Sequence, residues 1–313
     1  MSAYTFEKNI RSKQNSFSFF SFFEDKKEKK TEFAKNLRIV ANKYFTEKKV
    51  FDAIRCIKES IQIFQEYESN DYEIKQNMKL LISYVETSKI IDSTNFIKLN
   101  EYMANVFGYC RDNVSLNECY MEIAKFLDDT KEYEKALNIL NKCVDADNYK
   151  IVLEMRGDLL IKLEKYEDAS DVFFKLGEKI FLRKSISSSV YSRKFFLMSI
   201  LCALATKQSK IYNKKIDNVL HICESFISSQ EGQLSTNLVE SLNLLDIDKF
   251  EQSCKKYEAY SNKFTRTQVK LLILAKELLV GIEPYSKFNE FTESDDENDN
   301  GGNNSYDIES EIC

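Results

Sequence analysis

Lys131-Glu132-Tyr133-Glu134-Lys135-Ala136 is followed 33 residues later by Glu164-Lys165-Tyr166-Glu167-Asp168-Ala169. A third segment of the same form, Lys48-Lys49-Val50-Phe51-Asp52-Ala53, lies upstream. Each opens on a charged pair, continues with a bulky apolar residue and places Ala three positions later. Positions three apart share one face of a helix, so the bulky and the small residue point the same way. The small residue lets a second helix approach closely. Phe250 and Ser253 read as a degraded copy.

A charged turn followed by such a face, repeated at close to this period, marks the second helix of a tetratricopeptide-like hairpin. Other spacings in the chain are longer and irregular. The expected fold is therefore all-α: a helical-hairpin solenoid of uneven helices, a twisted sheet of antiparallel helices, capped by a C-terminal helical bundle. Composition points the same way. The 313 residues include 7 Gly and 1 Pro, and the proline, Pro284, comes near the end. Strand-rich folds need turn residues that this chain lacks. Ile54, Ile57, Ile61 and Phe64 form one apolar stripe, as do Val152, Met155, Leu159 and Leu163. Leu234, Leu238, Leu242 and Leu245 predict a third, and Val269, Leu272, Ile273, Leu279 and Val280 a last one, with Gly281 as C-cap. The expected organisation is an N-terminal helix with an exposed loop over 1–30, the solenoid over 31–230, the bundle over 231–283 and an acidic disordered tail over 284–313.

Net charge is −5, unevenly spread. Residues 286–313 carry nine Asp or Glu against Lys287, a net of −8, which leaves +3 for the first 285 residues. A mildly basic body with an acidic end suggests two kinds of partner, and the balance argues against nucleic acid. No stretch approaches the ~20 apolar residues that span a bilayer. The eight cysteines form no CxxC pair. They read as reduced core thiols of a cytoplasmic protein.

The pattern of reactive residues excludes the common enzyme classes. His221 is the single histidine, and Cys223, two residues on, falls on another face of a helix. No spacing suits zinc, and no phosphate loop, dinucleotide fingerprint or nucleophile elbow occurs. The expectation is a protein without catalytic site, metal or cofactor.

Asn15-Ser16-Phe17-Ser18-Phe19-Phe20-Ser21-Phe22-Phe23 fits neither the helical nor the strand period. Lys8, Arg11 and Lys13 precede it; Lys26, Lys27, Lys29 and Lys30 follow. Aromatic rings among cations suit a lipid headgroup layer, so Phe17, Phe19, Phe20, Phe22 and Phe23 are expected to form a peripheral membrane contact. Burial of one Phe is worth roughly 1.5–3 kcal/mol, so a few partly inserted rings give weak attachment that needs a second contact.

Three stretches, in order along the chain, resemble the soluble NSF attachment proteins, the alpha type more than the gamma type. Asn15–Ser21 is similar to that family's N-terminal hydrophobic loop. Leu163-Glu164-Lys165-Tyr166-Glu167-Asp168-Ala169, then Gly177, then Lys194-Phe195-Phe196 is similar to its mid-chain pattern. Leu238-Val239-Glu240 followed by Asp248 to Ser253 and Lys256-Tyr257 is similar to its C-terminal segment. The resemblance runs from about residue 5 to residue 283.

It implies an adaptor that holds the side of an assembled SNARE four-helix bundle at a membrane and recruits and stimulates the AAA+ ATPase NSF, which takes the bundle apart. Lys150, Arg156, Arg193 and Lys194 lie near the family's basic, SNARE-facing positions. Glu240, Glu309, Glu311 and Ile312 correspond to its NSF-binding end, whereas Asn243 and Leu244 stand where the family has an acidic pair. The alternative from the repeat alone is a generic tetratricopeptide-like scaffold that clamps an extended peptide.

Overall fold

The computed structural model describes residues 1–15, 24–67, 71–88, 93–260 and 263–280. Among them the regular elements are fourteen α-helices and two short 3₁₀ turns, with no strand. The chain divides into two compact units, Met1–Lys165 and Tyr166–Cys313.

The first unit holds α1 (Ala3–Asn15), α2 (Glu24–Thr46), α3 (Val50–Glu66), α4 (Asp71–Ser88), α5 (Ser93–Tyr109), α6 (Asn113–Asp129), α7 (Tyr133–Leu140) and α8 (Lys150–Lys162). Neighbours in sequence pack together: α1 on α2, α2 on α3, α3 on α4, α5 on α6, α6 on α7 and α7 on α8. The second unit holds α9 (Tyr166–Phe181), α10 (Ile186–Ala205), α11 (Ser209–Ile222), α12 (Gln230–Leu244), α13 (Ile247–Ala259) and α14 (Arg266–Val280). Here α10 is the hub, touching α9, α11, α12 and α14. Its sequence explains this: from Phe195 to Ala205 nearly every residue is apolar, and all but Met198 are buried, as expected of a helix with no polar face.

The repeated segments that predicted the fold all begin on one backbone device. Lys48, Lys131 and Glu164 are left-handed, at φ 60°, 62° and 59°. The Lys131 N–H donates to the Asp128 carbonyl at 2.9 Å, and the Glu132 N–H to the Leu127 carbonyl at 2.8 Å. The same pair of bonds closes the turns at Lys48 and Glu164. This is a Schellman closure, which satisfies the last carbonyls of one helix before the next begins. Five residues beyond each left-handed position, Ala53, Ala136 and Ala169 are completely buried. Arg111, at φ 54°, and Leu245, at φ 56°, make the same turn, with Leu116 and Phe250 at the buried position. The degraded copy is thus aligned three residues earlier than its sequence suggested: Phe250, not Ser253, takes the place of Ala.

Of the four predicted stripes, that of α3 is buried whole and that of α12 in three of its four positions, whereas on α8 Val152 and Leu159 are buried and Met155 and Leu163 half-buried. Ile54, Ile57, Ile61 and Phe64 line the core face of α3, with Cys56 beside them. Leu234, Leu238 and Leu242 are buried, but Leu245 is 70% exposed because the left-handed turn swings it out of the helix. On α14 the core positions are Leu271, Leu272 and Ala275, and Val280 is exposed. Of the stripe read there Leu272 is in the core, while Val269, Ile273 and Leu279 are half-buried, in a helix that has apolar residues on several faces. Gly281 and Pro284 lie outside the described residues. The thiols are packing groups: burial pushes Cys56 and Cys119 up to about 12 and Cys143 to about 11.

Gly177 has a packing reason to be glycine. A methyl group there would lie 2.7 Å from Cδ1 of Phe196, whose ring is fully buried and meets Phe226 edge-on at 5.8 Å. The bare helix surface at Gly177 lets α9 and α10 touch, so two residues quoted for the mid-chain resemblance form one contact.

α1 is held to its unit by a buried carboxylate. Glu7 is 6% exposed and accepts from four donors: Arg55 at 2.9 Å to each oxygen, Arg11 at 2.8 Å and the Tyr44 hydroxyl at 2.7 Å. Arg11 also reaches Glu59 on α3. The N-terminus of α1 is closed by Glu47, which accepts from the Ala3 N–H at 2.7 Å. Burial alone would raise the Glu7 pKa. The hydrogen bonds from Arg55, Tyr44 and Arg11 outweigh it and hold the group down at about 2.

Two consequences can be measured. Gly177→Ala should lower stability by up to about 2 kcal/mol, because overpacking costs about 1–3 kcal/mol and the alanine recovers roughly 1 kcal/mol of helix propensity. A raised urea midpoint would show that the Phe196 ring yields freely. For Glu7, the folded-state pKa lies below the ordinary 4.5. Its contribution is therefore complete above that ordinary value and fades as pH falls from there toward 2. With Arg55 and Arg11 still touching water, that contribution is about 2 kcal/mol. The stability gap between the native chain and Glu7→Gln, taken from urea unfolding, should be largest near neutral pH and shrink below about pH 4. A gap that stays constant would place the stabilisation elsewhere.

Candidate functional site

Concave chemistry is scarce in the described residues. His221 is exposed on the last turn of α11, while Cys223 is buried. Among the described residues no three His, Cys, Asp or Glu side chains come together as a metal site. The cleft between α12 and α13 beside Leu234, Asn237, Ser253 and Tyr257 has a volume of about 10 Å³, room for about one water. The molecule offers surfaces instead.

The five phenylalanines Phe17, Phe19, Phe20, Phe22 and Phe23 lie outside the described residues. What is described is the pair of helices they connect. α1 and α2 pack together, and the Glu7 cluster ties α1 to both α2 and α3. Lys43 on α2 places its ammonium 4.0 Å from the centroid of the Phe6 ring, a further α1–α2 contact.

Of the cations predicted to face a partner, Lys150 and Arg156 belong to the first unit, on α8. Lys150 is exposed at its first residue. Arg156 is turned inward: its side chain is 19% exposed, donates to Asn141 Oδ1 at 2.5 Å, and lies 3.9 Å from Asp147. Asn141 is the C-cap of α7, so Arg156 bolts α8 to the end of α7. Nothing in the sequence around Arg156 signals this role, because its partner is fifteen residues away.

Arg193 and Lys194 belong to the second unit, on α10. Arg193 is half-buried, and its Nε is buried with no partner. Lys194 is exposed, with its ammonium 4.6 Å from the Phe195 ring and 5.0 Å from Tyr191. These two end a longer feature. The sixteen residues 179–194 contain Lys179, Arg183, Lys184, Arg193 and Lys194 and not one carboxylate. Interleaved with them, Leu182 is 59% exposed, Ile186 89%, Val190 55% and Tyr191 49%. Ile186, Val190 and Lys194 follow at four-residue steps and so share one face of α10.

The local sequence builds this surface. Lys184 is left-handed at φ 55° and stops α9. Ser185 and Ser188 then make a capping box, each accepting the other's N–H at 3.0 Å, and α10 starts with Ile186 as its first residue. No acidic residue occupies that first turn, so nothing offsets the positive end of the helix. Among the described residues no carboxylate pairs with Arg183 or Lys184. Clustered exposed apolar side chains mark a binding surface, and cations among them select an acidic partner. The family resemblance pointed to Arg193 and Lys194, and reading the sequence for helical stripes passed over Leu182, Ile186 and Val190. The missing signal was the long acid-free run, residues 179–216, at whose start these apolar residues sit among cations.

At the other end of the second unit, Glu240 is exposed on α12 and paired with Lys249 of α13 at 2.7 Å. Asn243 exchanges amide hydrogen bonds with Asn213 of α11 at 2.9 and 3.3 Å. Leu244 and Leu245 beside it are 64% and 70% exposed. Glu309, Glu311 and Ile312 lie outside the described residues.

The family model described as soluble NSF attachment protein, SNAP, matches residues 144–280. That stretch contains α8 to α14, the mid-chain and C-terminal motifs and the cationic start of α10. The N-terminal loop motif lies outside it. No curated protein matches the chain in sequence. Among twelve solved chains that match in structure is the crystal structure of C. therm. Get4, at 13% identity and a TM-score of 0.33, over 93% of this chain and 94% of that one.

Proposed function

We propose that this chain, SNAP-like over residues 144–280, is a non-catalytic adaptor of the alpha type that grips an acidic helical bundle, an assembled SNARE complex, and presents it to an NSF-type AAA+ ATPase for disassembly in vesicle transport. The observation that carries the reading is the surface of cations and exposed apolar side chains at the α9–α10 turn, inside the matched region. Five cations provide long-range attraction for an acidic bundle. Ile186 and Val190 provide apolar contact once it docks. Fully burying one such side chain contributes roughly 1.5–3 kcal/mol, so the pair can hold what the charges attract. Lys194 extends the same helical face, and Lys150 adds a cation on the first unit.

Attachment to the membrane belongs to Phe17, Phe19, Phe20, Phe22 and Phe23, whose two flanking helices are fastened by the Glu7 cluster. The protein then works in the cytoplasm at a membrane surface. Weak lipid affinity and moderate affinity for the bundle reinforce one another when both targets lie on one membrane. The ATPase contact belongs to Glu240 and to the acidic end with Glu309, Glu311 and Ile312, where like charge repels the SNARE bundle and attracts a basic face.

Two measurements separate these parts. In a pull-down with a soluble assembled SNARE bundle, Arg183→Glu with Lys184→Glu should weaken binding by on the order of tenfold, and added salt should weaken the native chain in the same direction. Failure of the native chain to retain the bundle at low salt would end the adaptor reading. Phe19→Ser with Phe20→Ser should reduce flotation with liposomes and disassembly of membrane-anchored SNAREs, yet leave capture of the soluble bundle unchanged. Normal flotation by the double variant would exclude the rings as the membrane contact.

A further inference from the structure

The second unit carries a cationic surface and ends in an acidic tail, and its geometry lets one reach the other. The Lys207 side chain, just past the last residue of α10, forms an ion pair with Glu277 on the last turn of α14. The end of α14 is thus beside the far end of α10. The 20 residues of α10 span about 30 Å, so Ile186 lies about that distance from the point where α14 stops. An extended chain covers about 3.3–3.6 Å per residue. From Val280 the chain can therefore bring Phe291 to the surface, and Tyr306, Ile308 and Ile312 have more than twice the required reach.

The composition of the tail suits what it would meet. Residues 286–313 carry nine carboxylates and one lysine, against five cations and no carboxylate in residues 179–194. Large apolar residues sit among those charges: Phe288, Phe291, Tyr306, Ile308 and Ile312. The exposed Leu182, Ile186, Val190 and Tyr191 are interspersed with the cations in the same manner. Tethering places the tail near its target at an effective concentration on the order of millimolar, so a contact too weak to detect between separate molecules is populated within one.

We propose that the acidic tail, residues 286–313, docks on the Leu182–Lys194 surface of its own chain and occupies it until a stronger acidic partner displaces it. The inference rests on the reading of that surface as the binding face for an acidic bundle, and it adds a regulation to it. The tail acts as a built-in competitor. The site is covered in the free protein, and the acidic end is released for other contacts when the bundle binds.

A labelled synthetic peptide of residues 286–313 tests the contact against the full-length chain. In one variant the native tail is neutralised by Asp295→Asn, Asp296→Asn, Glu297→Gln and Asp299→Asn. Fluorescence anisotropy at low salt should show the peptide binding this variant at least tenfold more tightly than the native chain, whose own tail competes. Adding Arg183→Glu and Lys184→Glu should abolish the gain, and Ile186→Ser should reduce it. Equal affinity for the native and neutralised chains, no binding to the neutralised chain, or binding that ignores the charge reversal would each overturn the proposal. The assembled SNARE bundle serves as a second probe. Tighter capture of the bundle by the neutralised chain supports the proposal, and equal capture overturns it while the adaptor reading stands. If neither chain captures the bundle, the adaptor reading fails and the peptide experiment still decides whether the tail docks.

Discussion

A helix that ends inside a packed array leaves its last four carbonyls without partners, and every hairpin in such an array must dispose of them within two or three residues. In this protein the disposal is a left-handed residue followed at once by a new helix. Eight non-glycine residues among those described hold positive φ, six of them Lys, Arg or Glu. Each costs about 1–2 kcal/mol relative to a relaxed backbone. At five of them, Lys48, Arg111, Lys131, Glu164 and Leu245, the cost is offset because the turn closes two carbonyls with main-chain hydrogen bonds and reverses the chain so that Ala, Leu or Phe five residues on enters the core. The charged turn that opens each repeated segment is this device seen as sequence: a long side chain that can stay in water while its backbone is bent the wrong way.

α10 links the core to the surface. Most helices in globular proteins are polar on one side and apolar on the other. α10 changes character along its length instead. Its first two turns, from Ile186 to Lys194, are largely exposed, and its later turns are sealed among α9, α11, α12 and α14. Gly177 against Phe196 fixes how closely α9 can approach the buried part. The exposed part is therefore presented by a rigid rod, anchored deep in its unit, and Ile186 and Val190 keep their spacing whether or not a partner is present.

Much of this was legible in the sequence. The period of the charged turns predicted helical hairpins, and the α3 stripe from Ile54 to Phe64 is buried as read. Two kinds of feature were not legible. One is a residue whose backbone departs from its element: Leu245 fits the α12 stripe by spacing, and only the left-handed turn removes it. The other is a side chain whose role depends on a distant partner, as Arg156 depends on Asn141 and Glu7 on Arg55. Spacing rules see neither, because the first is decided by a turn and the second by tertiary packing. The exposed Ile186 and Val190 were hidden for a related reason. An apolar pair four residues apart is assigned by default to the core, and only the missing carboxylates around it say otherwise.

The Glu7 cluster has a mechanical side. Residues 16–23 join α1 to α2, so a pull on that stretch enters the fold through those two helices. Several charge-assisted hydrogen bonds meet there on one buried carboxylate, and Arg11 adds a second anchor on Glu59. No single bond carries the hold on α1, and the grip slackens in acid as the carboxylate takes up a proton.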